Sequence, residues 1–321
     1  MLWNTLNGLP PRIIAHRGAS GYRPEHTLDG YGLAAAQGAD VLEPDLVLSR
    51  DGALFARHDL GLARSTDIAS RTEFSGRARE LAGVRDWWIS DFDAHEIDTL
   101  RAIQPFPERG TQYDGHFILP RFSMLLDLAK AETAARRRPI AVYPELKHPE
   151  YFRRLGLDPV GALRTELAQR GLLGSESPVW IQCFDHAVLR EAQQRCGNRC
   201  FPLLEVMSER CDQIDVLMAE LASWAHGIAP SKFLLWDTAG KDTGLIAAAH
   251  AHGLEVHSWT FREDRSPAPF ASALEEMHAA FALGVDALFC DFPDAAFAAR
   301  AAHAVSEPPS ANRRAVVVPR A

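Results

Sequence analysis

No stretch of the 321-residue chain stays apolar for long, whereas a bilayer-spanning helix needs about 20 such residues. A membrane-spanning protein is therefore not expected. Positive charge is not in excess either: 34 Lys and Arg stand against 42 Asp and Glu, a formal charge of −8. A nucleic-acid partner would want a basic face, so none is expected. Cysteine is sparse, and the five present cannot all pair within one chain. The odd count points to a reducing compartment. Cys196 and Cys200, separated by Gly-Asn-Arg, have the spacing of either a local bridge or two free thiols. No second Cys/His pair has zinc-site spacing. The first eleven residues lack the basic and apolar regions of a signal peptide. The expectation is a cytoplasmic protein as the chain stands, or a periplasmic one if a leader was trimmed.

What is present is a large apolar fraction, 47%, ample for a sizeable core. Short β-like runs occur at 13–16, 41–48, 54–58, 140–147, 179–184, 201–206, 227–229, 254–260 and 287–291. Helical patterns lie between many of them, at 27–37, 122–136, 159–169, 187–194, 212–222, 242–252 and 271–283. Strands alternating with helices through right-handed crossovers give a parallel sheet with helices outside. About eight such runs in one chain of this length predict a TIM (β/α)8 barrel, with a doubly wound sheet as the alternative. The barrel is expected to occupy 1–306. Residues 60–119, rich in charge and aromatics, are too long for a structureless loop and read as an inserted cap. Asp86-Trp87-Trp88 and Tyr113-Asp114-Gly115-His116 are expected over the rim where barrel active sites sit. Residues 307–321 read as a flexible tail.

Chemistry-bearing residues gather at the ends of these runs. In Val41-Leu42-Glu43-Pro44-Asp45, strand alternation puts Glu43 and Asp45 on one face, about 7 Å apart. Buried together they would repel and protonate unless a cation sat between them. Glu145, on another run, makes a third oxygen donor, enough to anchor calcium or magnesium. Pro44 removes a ladder donor, so the strand should be irregular there. His16 precedes Arg17 and Gly18, where guanidinium and backbone could both approach phosphate oxygens. His58 is followed by Asp59, which could orient its ring. A lone strand-end histidine is usually a structural residue, but two at one rim can serve as base and acid. Lys147 reads either as a plain partner of Glu145 or as a phosphate ligand. His257, on the strand face of Trp259, is a candidate pocket residue, while His95, His250, His252, His278 and His303 read as solvated helix positions.

In order and spacing, these motifs resemble those of the glycerophosphodiester phosphodiesterase family, and within it the periplasmic-type branch. The resemblance runs through His16-Arg17-Gly18, Pro24-Glu25-His26-Thr27, Glu43 with Asp45, His58-Asp59 and Glu145-Leu146-Lys147. It continues through 181–185 and the closing stretch 286–294, and covers about residues 12 to 300. It implies the barrel and a divalent metal, calcium first and magnesium second, on Glu43, Asp45 and Glu145. It also implies His16 and His58 as acid–base pair and Arg17 and Lys147 on the phosphate, with Gln182, Phe184 and Trp259 bordering the alcohol portion. Trp259 stands where that branch often has tyrosine, and the stretch from Phe201 to Trp224 is shorter than usual. The implied reaction is hydrolysis of small-molecule sn-glycerol-3-phosphodiesters, such as glycerophosphocholine and glycerophosphoethanolamine, to sn-glycerol 3-phosphate and an alcohol. A phospholipase or sphingomyelinase D-like, or phosphatidylinositol-specific phospholipase C-like, enzyme would want an exposed aromatic rim, which Trp87-Trp88 keeps open. A zinc amidohydrolase lacks its early H-x-H pair here. A catalytically silent binding barrel would not need the two histidines and three carboxylates.

Overall fold

The computed structural model describes residues 3–205, 214–266 and 269–306. The tail expected at 307–321 lies outside the described residues, as do Val206 of the sixth run and residues 212–213 of an expected helix. Strand β1 (Arg12–His16) shows how the barrel is built: Ile14 points into the inner cluster, Ile13 and Ala15 into the outer one. That alternation, apolar on both faces, marks a strand buried on both sides.

Strand β1 is flanked by β2 (Val41–Glu43). Beyond Pro44 the same chain resumes as β3 (Asp45–Leu48), which folds back antiparallel onto β4 (Leu54–Ala56). The next barrel position is likewise broken, into β7 (Ala141–Val142) and β8 (Glu145–Leu146) around Pro144. Then follow β9 (Trp180–Cys183), β10 (Arg199–Leu204), β11 (Gly227–Pro230), β12 (Glu255–Phe261) and β13 (Ala287–Cys290). Strands β2 and β7 pair with each other, as do β3 and β8, and β13 pairs back onto β1, all in parallel. Counting each proline-split pair as one strand, the ring closes at eight.

The run at 54–58 was expected as a further strand of the parallel set, and the structure corrects this. Only five residues separate β3 from β4, whereas a parallel connection needs a dozen or more. The run therefore makes a hairpin arm, and His58 arrives on the loop beyond it.

Outside the ring lie α1 (Leu28–Ala36), α3 (Phe122–Arg136), α5 (Pro159–Gln169), α6 (His186–Cys196), α7 (Ile214–Ala222), α8 (Leu245–Ala251) and α9 (Ala273–Leu283). Three further helices escaped the sequence pattern: α2 (Ala94–Ile97), α4 (Pro149–Arg154) and α10 (Pro293–Ser306). The last packs on α9 and β1. His303 is buried there and stacks on Trp3, 5.1 Å between ring centroids, so it is not the solvated position expected. Cys183, Cys196, Cys200 and Cys290 are free and buried, so Cys196 and Cys200 are not bridged. No helix among the described residues is long and apolar enough to cross a membrane.

Residues 60–119 are held together by short 3-10 turns, α2 and a hairpin of β5 (Arg79–Leu81) with β6 (Val84–Asp86). Leu62, Ile68, Phe92 and Ile97 of this segment join the outer core of the barrel. Its tryptophans turn inward: Trp87 Nε1 donates to the Phe74 carbonyl (2.6 Å) and Trp88 Nε1 to that of Arg79 (2.9 Å).

Candidate active site

Sheet register assembles the site. His16 lies opposite Glu43 across β1 and β2, Asp45 opposite Glu145 across β3 and β8, and Glu145 opposite Gln182 across β8 and β9. Four neighbouring barrel positions thus deliver one polar residue each, or two, at their C-terminal ends. Oxygens of Glu43, Asp45 and Glu145 lie within 4.8 Å of one another, all buried.

The loop after β1 supplies the cations and their supports. Gly18 has φ +85°, and a Cβ there would come within 2.9 Å of the Gly30 carbonyl carbon. Only glycine lets the loop close this tightly on α1. The four residues Pro24-Glu25-His26-Thr27 then act separately. Glu25 accepts from Arg17 Nη1 at 2.9 Å, and Thr27 caps α1 by accepting from Gly30 N at 3.1 Å. His26, buried, bonds Asp45 Oδ2 through Nε2 (3.0 Å) and the Tyr31 hydroxyl through Nδ1 (2.9 Å). Arg17 Nε sits 3.1 Å from Asp45, and Lys147 Nζ donates to Glu145 at 2.9 Å. Gln182 Nε2 donates to Glu43 at 2.9 Å, while its Oε1 has no hydrogen-bond partner among the described residues.

These contacts divide the three carboxyls. Burial, then the neighbouring carboxylates Asp45 and Glu145, push Glu43 well above the usual range. Burial, then Asp45, raise Glu145 to about 8 despite Lys147. Burial would raise Asp45 too, but Arg17, Lys147 and the bond from His26 hold it well below the usual value. Fully ionised, the three would carry more negative charge than Arg17 and Lys147 offset, a condition that a bound cation would relieve.

Both histidines lean on carboxylates through Nδ1: His16 on Asp291 at 2.7 Å and His58 on Asp59 at 2.6 Å. A carboxylate on one ring nitrogen fixes the ring and leaves Nε2 for chemistry. Burial, then the charge of Arg17, lower the His16 pKa to about 4, with Asp291 opposing. His16 is therefore a neutral imidazole at neutral pH. Were His16 to serve as a base, protonation would remove it, so the acid limb of kcat/KM should fall well below 6.5, the ordinary histidine value. A pH profile of the purified enzyme checks this, and an acid limb at or above 6.5 would show that His16 is not the base.

A cavity of about 600 Å³ opens over these groups. His16, Arg17, Glu43, His58, Glu145, Lys147, Gln182, Phe184 and Trp259 all line it, and Asp45 is buried beside them. Phe184, half-exposed, meets Trp259 edge-on at 5.8 Å. His257 is not part of the cavity, contrary to expectation. It lies two residues deeper along β12, fully buried, stacked 4.3 Å from Phe201 and bonded to Glu255 at 3.1 Å. No residue of 60–119 lines the cavity, Trp87 and Tyr113 included. Asp291, His26 and Glu25 were visible in the sequence only as motif letters without a task. The arginines that hold Asp291, Arg109 and Arg262, left no sequence signal.

The chain is 29% identical to a glycerophosphodiester phosphodiesterase of Arabidopsis thaliana, covering 88% of this chain and 84% of that one. It is 26% identical to the glycerophosphodiester phosphodiesterase of Haemophilus influenzae, covering 88% and 87%. Among solved structures, it matches an Oleispira antarctica phosphodiesterase in complex with the product sn-glycerol-3-phosphate. There the TM-score is 0.66 at 19% identity, over 92% of this chain and 98% of that one. A glycerophosphoryl diester phosphodiesterase structure from Silicibacter pomeroyi gives 0.70 at 23% identity, over 94% and 98%. Both likenesses are to the fold, a TIM barrel. The model of the glycerophosphoryl diester phosphodiesterase family matches residues 16–295, and the chain belongs to that family.

Proposed function

We propose that the chain hydrolyses sn-glycerol-3-phosphodiesters, such as glycerophosphocholine and glycerophosphoethanolamine, to sn-glycerol 3-phosphate and the free alcohol. The observation that carries this reading is one cavity bordered by a buried carboxylate triad and two imidazoles, each fixed through Nδ1 by its own carboxylate.

Glu43, Asp45 and Glu145 would hold a divalent cation. An all-oxygen donor set favours a hard ion, calcium ahead of magnesium. When bound, it would supply positive charge against the phosphoryl oxygens and lower the pKa of a substrate hydroxyl. Gln182, which lines the cavity and donates to Glu43, would border the alcohol portion of the substrate. His16, neutral, takes the proton from the hydroxyl vicinal to the phosphate as that oxygen bonds to phosphorus. Arg17 and Lys147 neutralise charge on the phosphoryl oxygens as the phosphorus–oxygen bond to the leaving alcohol breaks and a cyclic phosphate is left. His58 donates the proton that the departing alkoxide needs. It then takes a proton from water, which adds to phosphorus, while His16 returns its proton to the ring oxygen that leaves, giving sn-glycerol 3-phosphate. Phe184 and Trp259 cover the alcohol side of the cavity.

Trp87 and Trp88, whose N–H groups turn to backbone carbonyls of their own segment, add nothing to the cavity lining that a lipid-acting relative would use. Assayed for product, glycerophosphocholine should yield sn-glycerol 3-phosphate and choline, with lysophosphatidylcholine a far poorer substrate. A preference for the lysolipid would replace this reading with a phospholipase.

A further inference from the structure

We infer that Arg109, carried by the 60–119 segment, is a positioning residue for His16. The inference rests on the reading of His16 as proton acceptor.

Asp291 leaves β13 at the rim, 1% exposed. Its Oδ1 holds His16 Nδ1, and its Oδ2 accepts from Arg109 Nη2 at 2.7 Å and from Arg262 Nε at 2.8 Å. The Arg109 side chain is only 3% exposed, although its segment is a surface excursion. The same guanidinium forks onto Asp264, at 2.8 Å from Nε and 3.2 Å from Nη2. Its Nη1 reaches the Ser20 carbonyl at 3.3 Å. One side chain thus ties the loop after β1, the loop after β12 and the end of β13 to a single plane.

The rest of the turn is clamped around it. The Phe106 ring lies 4.7 Å from the Arg109 guanidinium and 5.1 Å from that of Arg265, and Arg265 pairs with Glu108. Arg265 and Arg262 line the cavity, whereas nothing from 60–119 does. The segment therefore touches the chemistry through Asp291 and stays out of the substrate's path. A carboxylate held by two guanidiniums cannot swing, so the imidazole bonded to it keeps one orientation.

Removing Arg109 should leave the imidazole looser.

The test compares Arg109→Met, Arg109→Lys, His16→Ala and the double variant His16→Ala/Arg109→Met. It uses the full chain with calcium and glycerophosphocholine. Arg109→Met should lose about 10–100-fold in kcat, the scale of a misplaced catalytic group, with KM changed less than about twofold. Arg109→Lys should recover part of the loss. The double variant should be no slower than His16→Ala alone, because the arginine acts through that ring. A folded Arg109→Met with wild-type kcat would overturn the inference. So would a double variant in which the two losses multiply. If Arg109→Met does not fold, Arg109→Gln, which keeps a donor without the charge, takes its place under the same criteria. Wild-type turnover in His16→Ala would instead remove the acceptor reading itself, and this inference with it.

Discussion

Alanine at His16 or at His58 should lower kcat by about 10²–10⁴-fold, the usual contribution of a positioned acid or base. Substrate binding should change far less. The two rings do not share a partner: Asp291 holds one and Asp59 the other. Neither can take over the other's proton transfer, because each Nδ1 is committed and each ring enters the cavity from a different strand end. His16 lies on β1 and His58 on the loop beyond the β3–β4 hairpin. The double replacement should therefore cost little more than the worse single one, as expected of groups acting in one step. Steady-state kinetics on folded variants reads this directly. Near-normal turnover in either single variant would make that histidine structural and end its assignment.

Dialysis against excess EDTA should abolish turnover, and calcium should restore it. Three buried carboxyls with oxygens within 4.8 Å do not persist together in a low-dielectric site without compensation. Arg17 and Lys147 reach Asp45 and Glu145, but among the described residues the hydrogen bonds to the Glu43 carboxylate come from the Gln182 amide and the Arg17 backbone N–H. Asp45→Asn should lose calcium affinity as well as activity, measured separately by calorimetric titration of the metal. Full activity in EDTA after dialysis would remove the metal from the reaction.

Much of the site was legible because its residues sit at strand ends, where a run of apolar letters stops at a polar one. Glu43, Asp45, Glu145 and His16 all announce themselves this way, and Pro44 correctly signalled an irregular strand. The hairpin nature of 54–58 was legible in principle, since five intervening residues exclude a parallel crossover. The residues that hold the catalytic groups were less visible. Arg109 lies 182 positions from Asp291, in a segment without periodicity, and pairing at that separation leaves no local pattern. His257 was misplaced because period-two alternation gives the face of a strand and not the depth along it. The tryptophans at 87 and 88 pointed toward lipid only because composition is silent about which carbonyl their N–H groups find.

The pairing of His16 with Asp291 joins the first strand of the ring to the residue just past the last. During synthesis from the N-terminus, seven eighths of the barrel can be made while this imidazole has no anchor. A chain interrupted before β13 would carry both histidines and all three carboxylates, and still lack the lock on its proton acceptor. Closing the ring and anchoring the imidazole are thereby one event: the proposed proton acceptor gains its carboxylate only when the last strand pairs with the first.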